Sequence, residues 1–150
     1  MLYSLLYTKK EVIKIYEIYL GELKLPFLPE NLKESIKRDN KKYNILSLGE
    51  IVKPGRRNLR TWDLKSIFFH EDIDVTRARD YINSLIDEKG IKPVRFIVNR
   101  YNDDKSITFD TNTLVLIDAI EWEDKAGEVG DLNFNIKLIE YRAFCGRKIK

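Results

Sequence analysis

Histidine and cysteine are almost missing from this chain: His70 and Cys145 stand alone. One cysteine excludes an internal disulfide, and one of each excludes the His and Cys clusters that hold zinc, so stability has to come from packing. A chain so poor in cysteine suits synthesis in a reducing cytoplasm. No apolar run approaches the roughly 18–20 residues needed to span a bilayer. The opening MLYSLLYTKK has a short apolar part, a basic pair that follows instead of preceding it, and no small-residue cleavage site, so it does not read as an export signal. It reads as an extra strand or arm over residues 1–11 ahead of one domain over 12–150, with an upstream start codon as the plain alternative. Charge of one sign is also lacking. The 27 basic and 24 acidic side chains are interspersed, and a net +3 is too weak a bias to argue for nucleic acid. Gly49, Gly55, Gly127 and Gly130 match neither a dinucleotide nor a phosphate-loop pattern, and no repeat of 20–50 residues is evident.

What is present belongs to a folded soluble domain: 43% hydrophobic, 34% charged, with 8 Tyr, 7 Phe and 2 Trp. A chain of this length buries about 70% of the surface exposed when unfolded. Ile18 and Leu20, then Leu23 and Leu25, alternate on either side of Gly21-Glu22 and predict a hairpin. Pro26 and Pro29 end it, because neither donates a ladder hydrogen bond. The charged stretch from Asn31 to Tyr43 suits a short helix or a solvated strand, with the strand preferred. Ile45, Leu46, Leu48, Ile51 and Val52 predict a further strand, stopped by the Lys53-Pro54-Gly55 turn. Leu59 to Phe69 alternates, with the Trp62, Leu64, Phe68 face expected in the core. A single helix is predicted over Val75 to Glu88, capped by Asp72 or Asp74 and closed by Gly90, with an apolar stripe of Val75, Ala78, Tyr81, Ile82, Leu85 and Ile86 to lie on a sheet. Strands at Val94–Val98, Ile107–Phe109, Leu114–Trp122 and Phe134–Phe144 complete a mainly β (α+β) chain.

Chemistry-bearing residues are few. His70 would need a nucleophile or a second ligand to act, and the sequence names neither, so a strand-end histidine is the plain reading. Cys145 has Arg142 and Arg147 nearby to lower its pKa, but a lone thiol without a histidine is usually inert. Glu121, Glu123 and Asp124 lack calcium-loop spacing and read as an acidic strand end. Lys53, Arg56, Arg57 and Arg60 form the densest basic patch. With Trp62 at hand for stacking they would suit a small nucleic-acid-binding module. As edge charges against stray pairing, or as ion pairs to a neighbouring subunit, they need no ligand. A non-enzymatic scaffold with no metal or cofactor therefore stands ahead of the nucleic-acid module and of a small hydrolase around His70.

The order of EIYLGELKLPFLPENL (Glu17 to Leu32), SLGEIVKPGRRNLRTWDLKSIFF (Ser47 to Phe69), the helix ARDYINSL followed by IKPVRFIV (Ala78 to Val98), and IKLIEYRAF (Ile136 to Phe144) resembles the N-terminal tube-initiator-like domain of the LysM-bearing baseplate proteins of PBSX-like prophages and other contractile injection systems. The resemblance implies a tail-tube-like β-sandwich or barrel, two packed sheets with one flanking helix. It implies a homo-oligomeric, hexameric ring whose sheets line a channel, placed between the tail tube protein and the hub and spike of a phage tail or tail-like bacteriocin. Such a subunit would be assembled in the bacterial cytoplasm, then carried in the virion tail or released particle, with neither a membrane nor a specific nucleic acid as partner. Lys53, Arg56, Arg57, Arg60, Glu121, Glu123 and Asp124 become candidate intersubunit contacts, and residues 1–11 a further subunit or tape-measure contact. The sequence departs from the family at Lys150, where the relatives continue into a linker and a LysM module, so cell-wall binding is not implied.

Overall fold

The structure, a computed structural model, describes residues 16–26, 28–29, 31–87 and 93–143. The proposed arm at 1–11, Gly90, Phe144, Cys145 and Arg147 lie outside them. Among the described residues nine strands and one helix follow in order: β1 Tyr16–Leu20, β2 Leu23–Lys24, β3 Leu32–Ser35, β4 Lys41–Ile45, β5 Gly49–Lys53, β6 Thr61–Phe68, α1 Val75–Asp87, β7 Val94–Tyr101, β8 Ile107–Glu123 and β9 Leu132–Glu140. Seven strands form one sheet in the order β2-β1-β7-β8-β9-β6-β3, and β4 and β5 pair with each other. Every pairing is antiparallel.

The mainly β class with one flanking helix is the fold observed, with a difference in how its layers arise. One continuous sheet curls over: Trp62 on β6 lies with its ring 5.3 Å from that of Phe96 on β7, although two strands separate β6 from β7 in the sheet. The two expected strands at Ile107–Phe109 and Leu114–Trp122 are one 17-residue strand. Its register shifts between Ile117 and Ala119, a bulge that bends β8 and lets it serve both halves of the fold. The polar run Asp110-Thr111-Asn112-Thr113 interrupts the apolar pattern in the middle of β8, which is why one strand read as two.

Alternation carries the core. On β6, Trp62, Leu64, Ser66 and Phe68 are buried; on β9, Leu132, Phe134, Ile136 and Leu138 are. Ile18, Leu20, Phe96, Val98 and Val115 close the cluster from the other half of the sheet. Helix α1 lays Ala78 and Ile82 on it, with Val75, Tyr81 and Leu85 at the margin. Asp74 is the N-cap: its Oδ1 accepts from the Arg77 N–H at 3.3 Å. Trp122 Nε1 donates to Asn83 Oδ1 at 3.1 Å and fastens the helix to β8. Ile86, expected in the stripe, is 40% exposed because it falls at the outer end of the helix.

The other face of β3, β6, β9 and β8 is polar and follows the same rungs. Lys33 stands opposite Asp63 and Asp63 opposite Lys137. Lys65 and Glu121 flank Asn135, while Ile67 and Glu123 flank Asn133.

Candidate functional site

The apolar group Ile45, Leu46, Leu48, Ile51 and Val52 is the largest departure from the sequence expectation. It does not build a core strand. It forms the turn and outer end of the β4–β5 hairpin, with Leu46, Leu48 and Val52 at 108%, 72% and 53% exposure. Every residue from Ile36 to Pro54 is exposed. Ladder bonds run back from the hairpin to the body: Asp39 N donates to Arg56 O at 2.9 Å, Asn58 N donates to Lys37 O at 2.8 Å, and Arg38 bridges Arg57. The pair β3–β6 thus continues outward as one ribbon whose tip lies roughly 30 Å beyond the Ser35–Thr61 rung, at 3.3 Å per residue.

Two glycines shape this arm. Gly49 holds φ +83° at the tip turn, a left-handed conformation that side chains disfavour. At Gly55 a Cβ would overlap the Asp39 carbonyl, so only glycine lets the two legs close at the root; its N–H donates to Asn40 Oδ1 at 3.0 Å.

The expected basic residues all sit on the arm or its root. Lys53 ends β5 directly opposite Lys41, a like-charged pair that disfavours the isolated hairpin and favours an anionic neighbour. Arg56 is exposed. Arg57 and Arg60 turn inward instead, to Glu140 at the end of β9: Arg57 Nη1 donates at 3.1 Å, and Arg60 donates from its backbone N at 2.9 Å and from Nη2 at 3.4 Å. Burial opposes charge on Glu140, but the Arg60 N–H and the two guanidinium groups outweigh it and hold the carboxyl at about 2. Arg60 also approaches Glu34 at 3.9 Å and covers the Trp62 ring at 5.2 Å. Trp62 is 2% exposed and gives Nε1 to Glu34 Oε1 at 3.2 Å, so it offers no face to a nucleic-acid base.

The expected acidic residues Glu121, Glu123 and Asp124 are exposed and lead into the loop before β9. The β6–β9 ladder runs from Thr61–Ile139 at the arm end to Phe68–Leu132 at the loop end, roughly 25 Å, so Asp124 and its loop lie at the pole opposite the arm, with Glu123 one rung and Glu121 three rungs short of that end. At the acidic pole His70 closes the corner: its backbone N and ring Nδ1 both reach Asp131 Oδ1, at 2.9 and 2.8 Å. The ring hydrogen bond raises the His70 pKa, and the His70 backbone N–H followed by the ring bond lowers that of Asp131. Among the described residues no group of three or more His, Cys, Asp or Glu could hold a metal ion.

Sequence reasoning found the basic and acidic clusters but missed the apolar arm and Glu140. Gly49 inside the apolar group, with lysines on both flanks, was the available signal for a hairpin.

No family model matches the chain. The uncharacterised protein YqbP of Bacillus subtilis (strain 168) is 26% identical over 91% of the chain, which spans 64% of that relative's length. Among solved structures, the sheath–tube complex of an extracellular contractile injection system holds a similar chain, with TM-score 0.60, 16% identity, and 96% of each chain covered. A chain of the tube-terminating cap of the anti-feeding prophage superposes with TM-score 0.60 and 15% identity over 91% of each. One from the six-fold symmetrised baseplate of the same prophage has TM-score 0.55 and 9% identity, with 91% of this chain and 95% of that one covered. The chain shares the fold of these tail components.

Proposed function

We propose that this chain is a structural subunit of a contractile phage tail or tail-like bacteriocin, forming a ring between the tail tube and the baseplate hub, with no catalytic or cofactor role. The observation that carries the reading is the arm. A two-stranded hairpin is marginal in water by itself, and one bearing exposed leucines and opposed lysines is stabilised by a neighbour that covers the first and neutralises the second. The fold shared with tube, cap and baseplate chains supports the same reading.

Three surfaces have roles in it. The basic arm and the acidic end at Glu121, Glu123 and Asp124 lie at opposite poles, a polarity suited to head-to-tail contacts between copies or with the tail tube protein and hub. Arg56 and Lys53 are the arm's outward charges, while Arg57 and Arg60 act from its root. Edge strand β3 supplies backbone groups for pairing with an adjacent copy. The polar face of β3, β6, β9 and β8 lines the channel, its lysines interleaved with acids so that a passing polymer meets no field of one sign. Sixfold order follows if the ring matches the tube it nucleates. Assembly takes place in the bacterial cytoplasm. A peptidoglycan-binding module forms no part of the proposal.

Electron microscopy of intact particles with this protein located by a tag tests the reading. Density in a ring on the axis between tube and hub supports it. Finding the protein off that axis, or only as a free monomer, overturns it.

A further inference from the structure

Glu140 is a charged side chain with only 8% exposure, placed where the return leg of the arm meets the body. Its neighbours are divided between the two. Arg57 belongs to the arm ladder through its bridge to Arg38, whereas Arg60 leads directly into β6. Oε1 accepts from Arg57 Nη1 and from the Arg60 backbone N, Oε2 lies 3.4 Å from Arg60 Nη2, and Arg142 Nε approaches at 4.0 Å. The backbone joins the same knot, since Glu140 N donates to Arg60 O at 2.8 Å.

The ribbon needs such a fastening. Rungs on β3–β6 have residue numbers that sum to 96, as for Leu32 with Leu64, those at Arg38–Arg57 to 95, and those on β4–β5 to 94. The legs therefore slip register twice between body and tip, and irregular ladder of this kind bends and twists easily. Ion pairs away from water add little stability compared with an apolar core, because desolvation cancels much of the attraction, but they impose direction.

We propose that Glu140 is the positioning residue of the arm: by gripping Arg57 from the body it sets the angle at which the β4–β5 hairpin leaves the sheet. This rests on the assembly reading only for its consequence, because the angle itself is a property of the isolated subunit. The carboxylate acts through Arg57 and touches no partner.

The test uses the full chain with Cys145→Ser, spin labels at Ser47 on the tip and Asp118 on the body, and pulsed electron resonance to read their separation. With Glu140 intact a single narrow distance distribution is expected. Glu140→Gln and Arg57→Met should each broaden it, and should raise the concentration needed for assembly about tenfold. Arg57→Met leaves Arg60 on Glu140 and so keeps the body folded, which thermal melting checks if Glu140→Gln destabilises the subunit. A distribution that stays narrow in both variants overturns the proposal, because a merely structural carboxylate would change melting and leave the angle alone. If the unsubstituted chain never assembles while the variants still broaden the distances, the ring reading falls and the role of Glu140 stands.

Discussion

A carboxylate that burial opposes keeps its charge only when donors surround it, and Glu140 has four within reach from three arginines. Its pKa falls from 4.5 to about 2, so its contribution is complete above pH 4.5 and is lost as pH drops toward 2. Urea unfolding followed from about pH 6 to about pH 3 should show stability declining steeply below pH 4.5, and Glu140→Gln should flatten that decline. His70 works in the opposite sense. Its pKa is raised above 6.5 by Asp131, so the protonated pair favours the fold at and below that pH and weakens as pH rises through the folded value. A ring-proton titration by NMR should give a His70 midpoint above 6.5, and Asp131→Asn should bring it back down. Trp62, sealed between Phe96 and Arg60, is a packing residue. Replacing it with Ala should cost about 3–5 kcal/mol in a denaturant melt.

Among the elements, the arm is the one whose residues answer to something outside the subunit. Leu46 and Leu48 make no core, so Leu46→Ser with Leu48→Ser should leave the melting temperature of the isolated subunit unchanged and reduce its assembly in sedimentation. An equal loss of both would mean that the hairpin is part of the folding unit. Gly55 has a different role. Any side chain there meets the Asp39 carbonyl, so Gly55→Ala should disturb the root of the ribbon and weaken assembly even though the residue reaches no partner. Helix α1 is the converse case: its stripe at Ala78 and Ile82 and its bond to Trp122 face inward, and it serves to cover the sheet.

At the scale of the whole molecule, charge is sorted along the strands, with the basic arm at one pole and the acidic loop at the other. Arg56→Glu should weaken assembly without unfolding the subunit, and Glu123→Lys on the same chain should restore part of it if the two poles meet between copies. Arg57→Glu should destabilise the subunit itself, because it sets two carboxylates against each other at Glu140. Native mass measurement over a salt series reads both outcomes. Contacts between exposed charges should loosen as the screening length falls to about 8 Å at physiological ionic strength and shortens further above it.

The β class, the helix and the Trp62 face of β6 were legible in the residues because each depends on local periodicity: alternation of two along a strand, recurrence of three and four along a helix, whereas the choice of Asp74 over Asp72 as its cap was left to the structure. The basic and acidic clusters were legible as well, since charge shows directly in composition. Local pattern stops there. Whether Leu46 and Leu48 lie inside or outside depends on what stands opposite them, and among the described residues β4 and β5 pair only with each other, beyond the end of the β3–β6 pair. The pairing of Arg57 with Glu140, 83 positions apart, likewise had no signature in sequence. Only the antiparallel pairing of β6 with β9, which sets the end of β9 beside the start of β6, decided that two of the four expected basic contact residues turn inward and anchor the arm.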